Sequence, residues 1–186
     1  MQNIAFCPLC GGPTASTIPP GDNRERPVCT VCNEPHYTNP STVVGAVAVM
    51  DEKFLLCRRS IEPRSGYWTI PAGYLELEED AMDGAIREAD EEAHAQLEIR
   101  SLLAMYSIPH ISQVQLIFLA DLLSEDIAPG EESLEVALFR WEEIPWSDLA
   151  FPTVKWALDH AKESLANPNL GPELRSTKGL SRKSKP

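Results

Sequence analysis

Three glutamates, Glu88, Glu91 and Glu92, stand at i, i+3 and i+4, a spacing that on a helix gathers their carboxylates into one patch. Like charges held that close repel, and an isolated helix gains nothing from keeping them together. Divalent cations explain such a patch. With hard oxygen ligands and neither His nor Cys in the set, the favoured ions are Mg²⁺ or Mn²⁺ rather than zinc. The plain alternative for a glutamate cluster is a solvated helix face. A second constellation is chemically different. Cys7-x-x-Cys10 and Cys29-x-x-Cys32, with eighteen residues between the pairs, present four thiolates of the kind that enclose one tetrahedral Zn²⁺. A closed four-sulfur shell has no open position, so this zinc is expected to be structural. Two disulfides are the alternative, which a reducing compartment disfavours. The fifth cysteine, Cys57, lies in an apolar run and reads as an inert buried thiol.

The bulk properties limit the function classes. A formal charge of −12 argues against broad electrostatic binding to nucleic acid or to an anionic membrane. An anionic substrate must then be drawn in by something local, such as bound cations that invert the charge of the acidic patch. No run of eighteen apolar residues suggests a membrane span, and the first residues lack the basic start and apolar stretch of a secretory signal. A cytoplasmic protein is expected.

The elements that must position these residues follow from pattern. Residues 1–40 are rich in Cys, Pro and Gly and poor in periodic apolar residues, as expected of a small zinc ribbon that folds around its metal. From Val43 to Met50 the chain reads as a buried strand, and residues 54–59 as its hairpin partner across the turn Asp51-Glu52-Lys53. Gly66, Pro71 and Gly73 punctuate a loop. Residues 79–93 read as a helix with Ala81, Met82, Ala85, Ile86 and Ala89 on a buried side and the acidic residues on the other. Strands are expected over 97–108, 113–123 and 134–141, and a second helix over 152–165. The expected organisation is a mixed α/β domain over residues 41–166, with a flexible basic tail over 167–186.

The full spacing around the acidic patch is more specific. Gly73, five residues, Glu79, seven residues, and then Arg87-Glu88-Ala89-Asp90-Glu91-Glu92 resemble the Nudix box. The resemblance runs from about Val43 to Leu165, and one departure is His94, where the family usually has Gly. It implies an α/β/α sandwich with a mixed sheet and a metal-dependent hydrolase that splits a diphosphate linkage in a nucleotide derivative. By resemblance, Glu88, Glu91 and Glu92 hold the catalytic Mg²⁺ (or Mn²⁺), Glu79 assists directly or through water, and Arg87 clamps the loop to the helix. The general base comes either from the box, as Glu92, or from a distant segment, as Glu132 or Glu135. Arg58, Arg59 and Arg64 can hold a phosphate or an adenine face, while Tyr67, Trp68, Tyr106 and Phe151 are candidates for stacking on substrate.

The Pro- and Trp-rich specificity motif of the NADH-cleaving Nudix branch is missing. The segments Tyr106-Ser107-Ile108-Pro109-His110 and 129–135 resemble instead the branch of FAD and ADP-ribose pyrophosphatases. A small-molecule nucleotide diphosphate, FAD or ADP-ribose, is thus the expected substrate, with AMP released and NADH the runner-up. A non-catalytic zinc-ribbon and Nudix ligand-binding module is a third reading, which the intact box disfavours. The family resemblance also implies a homodimer.

Overall fold

The computed structural model describes residues 4–178. The chain divides into two compact units at the Pro40–Ser41 junction. In the first, β1 (Thr14–Thr17) and β2 (Arg26–Cys29) pair antiparallel, with Thr14 opposite Cys29. Phe6, Leu9, Val31 and Tyr37 are exposed, whereas Cys7 and Cys29 are buried. Cys10 and Cys32 are exposed, and a unit with so many apolar side chains outside has little hydrophobic core of its own, which is what a metal staple would make up for.

The second unit contains β3 (Ser41–Met50), β4 (Lys53–Arg59), β5 (Trp68–Thr69), β6 (Ala72–Tyr74), α1 (Ala81–Ala93), β7 (Leu97–Ile108), β8 (Gln113–Leu122), β9 (Ser133–Arg140), α2 (Pro152–Ala166) and β10 (Glu173–Ser176). The sheet runs β10-β7-β8-β3-β4-β5, with β6 added to β3 and β9 to β4. It is mixed: β3 pairs parallel with β8 and β10 pairs parallel with β7, while the other pairs are antiparallel. The two-residue turn between β3 and β4 takes positive φ at both Asp51 and Glu52, the form whose twist suits a hairpin. Alternate residues of β3 serve opposite faces. Ala46 and Ala48 pack with Ala89 and Ala93 of α1, and Val47 and Val49 pack with Val154, Ala157 and Leu158 of α2. The result is the expected α/β/α sandwich.

Two expectations are corrected. The sequence predicts a flexible tail from 167, yet Glu173–Ser176 form an edge strand, with Leu174 opposite Met105 and Ser176 opposite Ser107. Backbone pairing with β7 supplies the order that its apolar content did not announce; residues 179–186 lie outside the described residues. The buried side of α1 is also rotated from the one expected. Gly84, Ala85, Glu88, Ala89, Glu92 and Ala93 face inward, and Met82 is exposed. Two of the three patch glutamates therefore lie on the buried side.

Both ends of α1 follow from local chemistry. Asp80 caps the first turn by accepting from the Met82 amide at 2.8 Å. His94 ends the helix in the left-handed region, φ 48, with its amide turned back to the carbonyls of Ala89 and Asp90. The chain thus reaches the geometry that favours Gly while carrying a Cβ. His94→Gly is expected to stabilise the fold by about 1 kcal/mol, or roughly 2–4 °C in Tm. Thermal unfolding of the two proteins under one buffer checks this.

Candidate active site and zinc ribbon

Arg87 organises the acidic patch. Its guanidinium grips Glu79 with two prongs, Nε to Oε1 at 2.7 Å and Nη2 to Oε2 at 3.0 Å, and Nη2 also donates to the Tyr74 carbonyl at 3.0 Å. Nη1 donates to Glu88 Oε1 at 2.8 Å and to Glu91 Oε2 at 2.9 Å. One side chain thereby ties the loop after β6 to the helix and offsets three carboxylates. The Arg87 hydrogen bond holds the Glu79 carboxyl below its ordinary range. Glu92 stands apart from the clamp, accepting only the Ala72 amide at 3.2 Å. Burial, with Glu88 and Glu132 nearby, pushes Glu92 up to about 8, and burial likewise raises Glu88.

Two glycines allow this packing. A Cβ on Gly73 would overlap the Glu88 carboxylate, and one on Gly130 would strike the Glu91 carbonyl. Without that Cβ, the loop before β9 docks on the end of α1, with the Gly130 amide donating to the Glu92 carbonyl at 3.1 Å and that of Ala128 to Ala93 at 3.0 Å. Ser60 holds the same loop from the other side, by its amide to the Glu132 carbonyl at 2.9 Å and its hydroxyl to the Glu131 carbonyl at 3.1 Å. The Glu132 backbone is thereby held beside the site.

A cavity of about 1550 Å³ opens beside the patch. Arg87, Glu88, Glu91 and Glu92 form one wall, with Arg59, Arg64, Glu132 and Phe151 also lining it. The Arg59 guanidinium lies 5.6 Å from the Phe151 ring centre, a cation–π contact at the cavity edge. Several residues singled out in the sequence lie elsewhere. Arg58 points away from the cavity, donating to the Gly66 carbonyl at 3.0 Å and pairing with Glu135 at 3.4 Å. Glu135 sits opposite Arg58 in the β4–β9 ladder and is spent on that exposed pair. Trp68 is packed edge-on against Phe139, 4.9 Å between ring centres, and Tyr67 lies under Arg64. Neither aromatic lines the cavity. Tyr106 is fully buried against Trp156, with its hydroxyl 3.0 Å from Glu173. Gln113 and Gln115 do line the cavity and went unnoticed in the sequence; two polar residues at i and i+2 in an otherwise apolar strand were the available signal.

The donor set fits divalent cations. Glu79, Glu88 and Glu91 share the Arg87 guanidinium while Glu92 has no hydrogen-bonded cation, and burial holds Glu88 and Glu92 above the ordinary carboxylate range, a deficit of positive charge that a cation would remove. Among the described residues no three carboxylates bring oxygens within 4.8 Å of one another. An open wall of this kind suits Mg²⁺, which keeps several waters and takes further oxygens from substrate phosphates. The four cysteine sulfurs, by contrast, all lie within 4.8 Å of one another, with pairs at 3.4, 3.5 and 3.8 Å. Tetrahedral Zn–S bonds of 2.3 Å require sulfurs about 3.8 Å apart. The amides of Cys32 and Val31 point at the Cys29 sulfur and, against burial, lower its thiol to about 6, favouring the thiolate a metal needs. No disulfide is formed.

Residues 39–160 match the NUDIX domain model and residues 5–38 the Nudix N-terminal zinc-ribbon model. The chain belongs to the Nudix hydrolase family. A NUDIX hydrolase structure from Nitrosomonas europaea is 45% identical, with a TM-score of 0.89 over 93% of this chain and 98% of that one. An ADP-ribose pyrophosphatase of Methanocaldococcus jannaschii is 27% identical over 68% of this chain and 72% of its own length. A NAD-capped RNA hydrolase NudC of Vibrio parahaemolyticus is 30% identical over 73% of this chain, which spans only 50% of that relative.

The buried box glutamate gives this Nudix fold a pH signature. Glu92 rises from 4.5 to about 8 in the folded, metal-free protein, so between those values the fold keeps a proton that the unfolded chain has lost. Its contribution to stability is full below about 4.5 and is lost as pH rises through about 8. In zinc-loaded protein without other cations, wild type should lose a few kcal/mol across this window beyond what Glu92→Gln loses. Saturating Mg²⁺ should shrink the difference. Melting curves at pH 5, 6.5 and 8 give the comparison, and parallel curves would contradict it.

Proposed function

We propose that the chain hydrolyses the diphosphate linkage between an adenosine half and a second moiety, with ADP-ribose or FAD as substrate and AMP as one product. The observation that carries this reading is the size and polarity of the cavity beside the box. Small-molecule pockets usually hold about 300–1,000 Å³, and this one holds about 1550 Å³, room for groups on both sides of a diphosphate. Its walls divide the work. The box glutamates occupy one side, and apolar surface from Ile61, Ile117 and Phe151 faces the remainder. The M. jannaschii relative, whose name is ADP-ribose pyrophosphatase, is matched over most of its length, which supports the same substrate class.

Bound Mg²⁺ or Mn²⁺ would neutralise diphosphate oxygens and acidify an attacking water. Glu88, Glu91 and Glu92 are the residues that would hold it, with Glu79 kept in place by the Arg87 clamp. Arg59, close enough to lower the Glu92 carboxyl against its burial, is the cationic side chain suited to a phosphate oxygen. Glu132 is the better placed of the two distant base candidates, since it faces the cavity and influences both Glu88 and Glu92. Glu92, the candidate from the box itself, is the alternative. The structural zinc stays outside this chemistry.

The second reading is cleavage of an NAD-type dinucleotide, favoured by similarity to the NudC relatives, which are named NAD-capped RNA hydrolases. The chain spans about half of their length. Initial rates with Mg²⁺ on ADP-ribose, FAD, NADH and a nucleoside triphosphate, at one low concentration, separate the readings. ADP-ribose or FAD should be cleaved fastest with AMP formed, and Glu91→Gln should lower that rate by about 10²-fold or more. Preference for NADH would support the second reading, and preference for the triphosphate would sink both.

A further inference from the structure

The cavity extends well past the box. From β6, which carries Gly73, the sheet runs through β3, β8 and β7 to β10, four inter-strand steps of about 4.8 Å or about 19 Å in all. Along this path the lining passes from Gly73 to Val43, Gln115, Gln113 and Ile108, and ends on Lys178. The lysine at the far end therefore comes from beyond the segment 39–160 that matches the Nudix model.

Its backbone is held in place. The Thr177 amide donates to the Ser107 carbonyl at 3.0 Å, continuing the β7–β10 pairing by one residue, and the Lys178 amide donates to the Ser176 hydroxyl at 3.1 Å. Lys178 is exposed and forms no ion pair among the described residues. The carboxylates that line the cavity all come from the segments following β4 and β6, from α1, or from the loop before β9. The far wall instead offers the amides of Gln113 and Gln115, the imidazole of His110 and this ammonium. A wall of hydrogen-bonding groups without carboxylates suits a moiety rich in acceptor oxygens rather than a purine face.

The geometry points to Lys178 as a specificity residue that binds the oxygen-rich second moiety of the substrate, a hydroxylated sugar or sugar alcohol beyond the diphosphate. This rests on the diphosphate reading above and adds which end of the cavity takes which half. It also gives β10 a function, since that strand leads into the one lysine that lines this wall among the described residues.

The test measures affinity by calorimetry for zinc-loaded protein with Ca²⁺ in place of Mg²⁺ to slow turnover. ADP-ribose carries the second moiety and ADP lacks it. Lys178→Ala should weaken ADP-ribose about tenfold, the loss expected for one charged hydrogen bond, and leave ADP unchanged. Lys178→Arg should restore most of the affinity. Equal ADP-ribose affinity in wild type and Lys178→Ala, or equal weakening of both ligands, overturns the assignment while leaving the diphosphate reading intact. Failure of wild type to bind either ligand overturns both.

Discussion

Arg87 is the point at which loop, helix and site chemistry meet. Its five donors are shared among Glu79, Glu88, Glu91 and the Tyr74 carbonyl, so one planar cation sets the distance between the loop after β6 and the face of α1. A lysine could not do the same, because a single ammonium cannot grip Glu79 with two parallel bonds and still span two further carboxylates. Only about a quarter of the Arg87 side chain is exposed, at 28%, so these bonds act where water screens them less than at an open surface. Glu92 is left outside the clamp, and burial without a hydrogen-bonded cation holds its carboxyl well above the ordinary range.

Sinking carboxylates into the contact between α1 and the sheet requires small neighbours. Ala85, Ala89 and Ala93 share the inward side with Glu88 and Glu92, and Ala46 and Ala48 meet them from β3. The absence of a Cβ at Gly73 and Gly130 serves the same end. The opposite sheet face is packed with large groups, including Phe54, Leu56, Leu103 and Leu158, which carry the stability of the domain. Ile70, Ile117 and Val154 of that core also line the cavity, so the packed face supplies part of the wall opposite the glutamates.

Much of this was legible in the chain itself. The long strands and both helices announced themselves through apolar pattern, and the box and the cysteine knuckles through spacing, because each depends on local geometry. What was not legible depends on partners distant in sequence. Nothing in Glu173-Leu174-Arg175-Ser176 says that β7 has a free edge to receive it. Arg58 and Arg59 are neighbours in sequence, but alternation on β4 sends one to Glu135 and the other to the cavity edge beside Phe151. Trp68 reads as a stacking residue until Phe139, about seventy positions later, is seen to occupy its face. The buried side of α1 was misjudged because alanines stand on several sides of that helix and do not by themselves choose one.

On the proposed function, Glu88, Glu91 and Glu92 of α1 hold divalent cations together with a substrate diphosphate. Mn²⁺ binding followed by electron paramagnetic resonance tests it most directly, using zinc-loaded wild type and the Glu88→Gln/Glu91→Gln/Glu92→Gln variant, each with and without ADP-ribose bearing a methylene in place of the bridging oxygen. The account predicts that wild type binds Mn²⁺ and binds it more tightly with the analogue, because the phosphates complete the open side of the site, and that the variant does neither. Mn²⁺ binding of equal strength in both proteins, unaffected by the analogue, would contradict it.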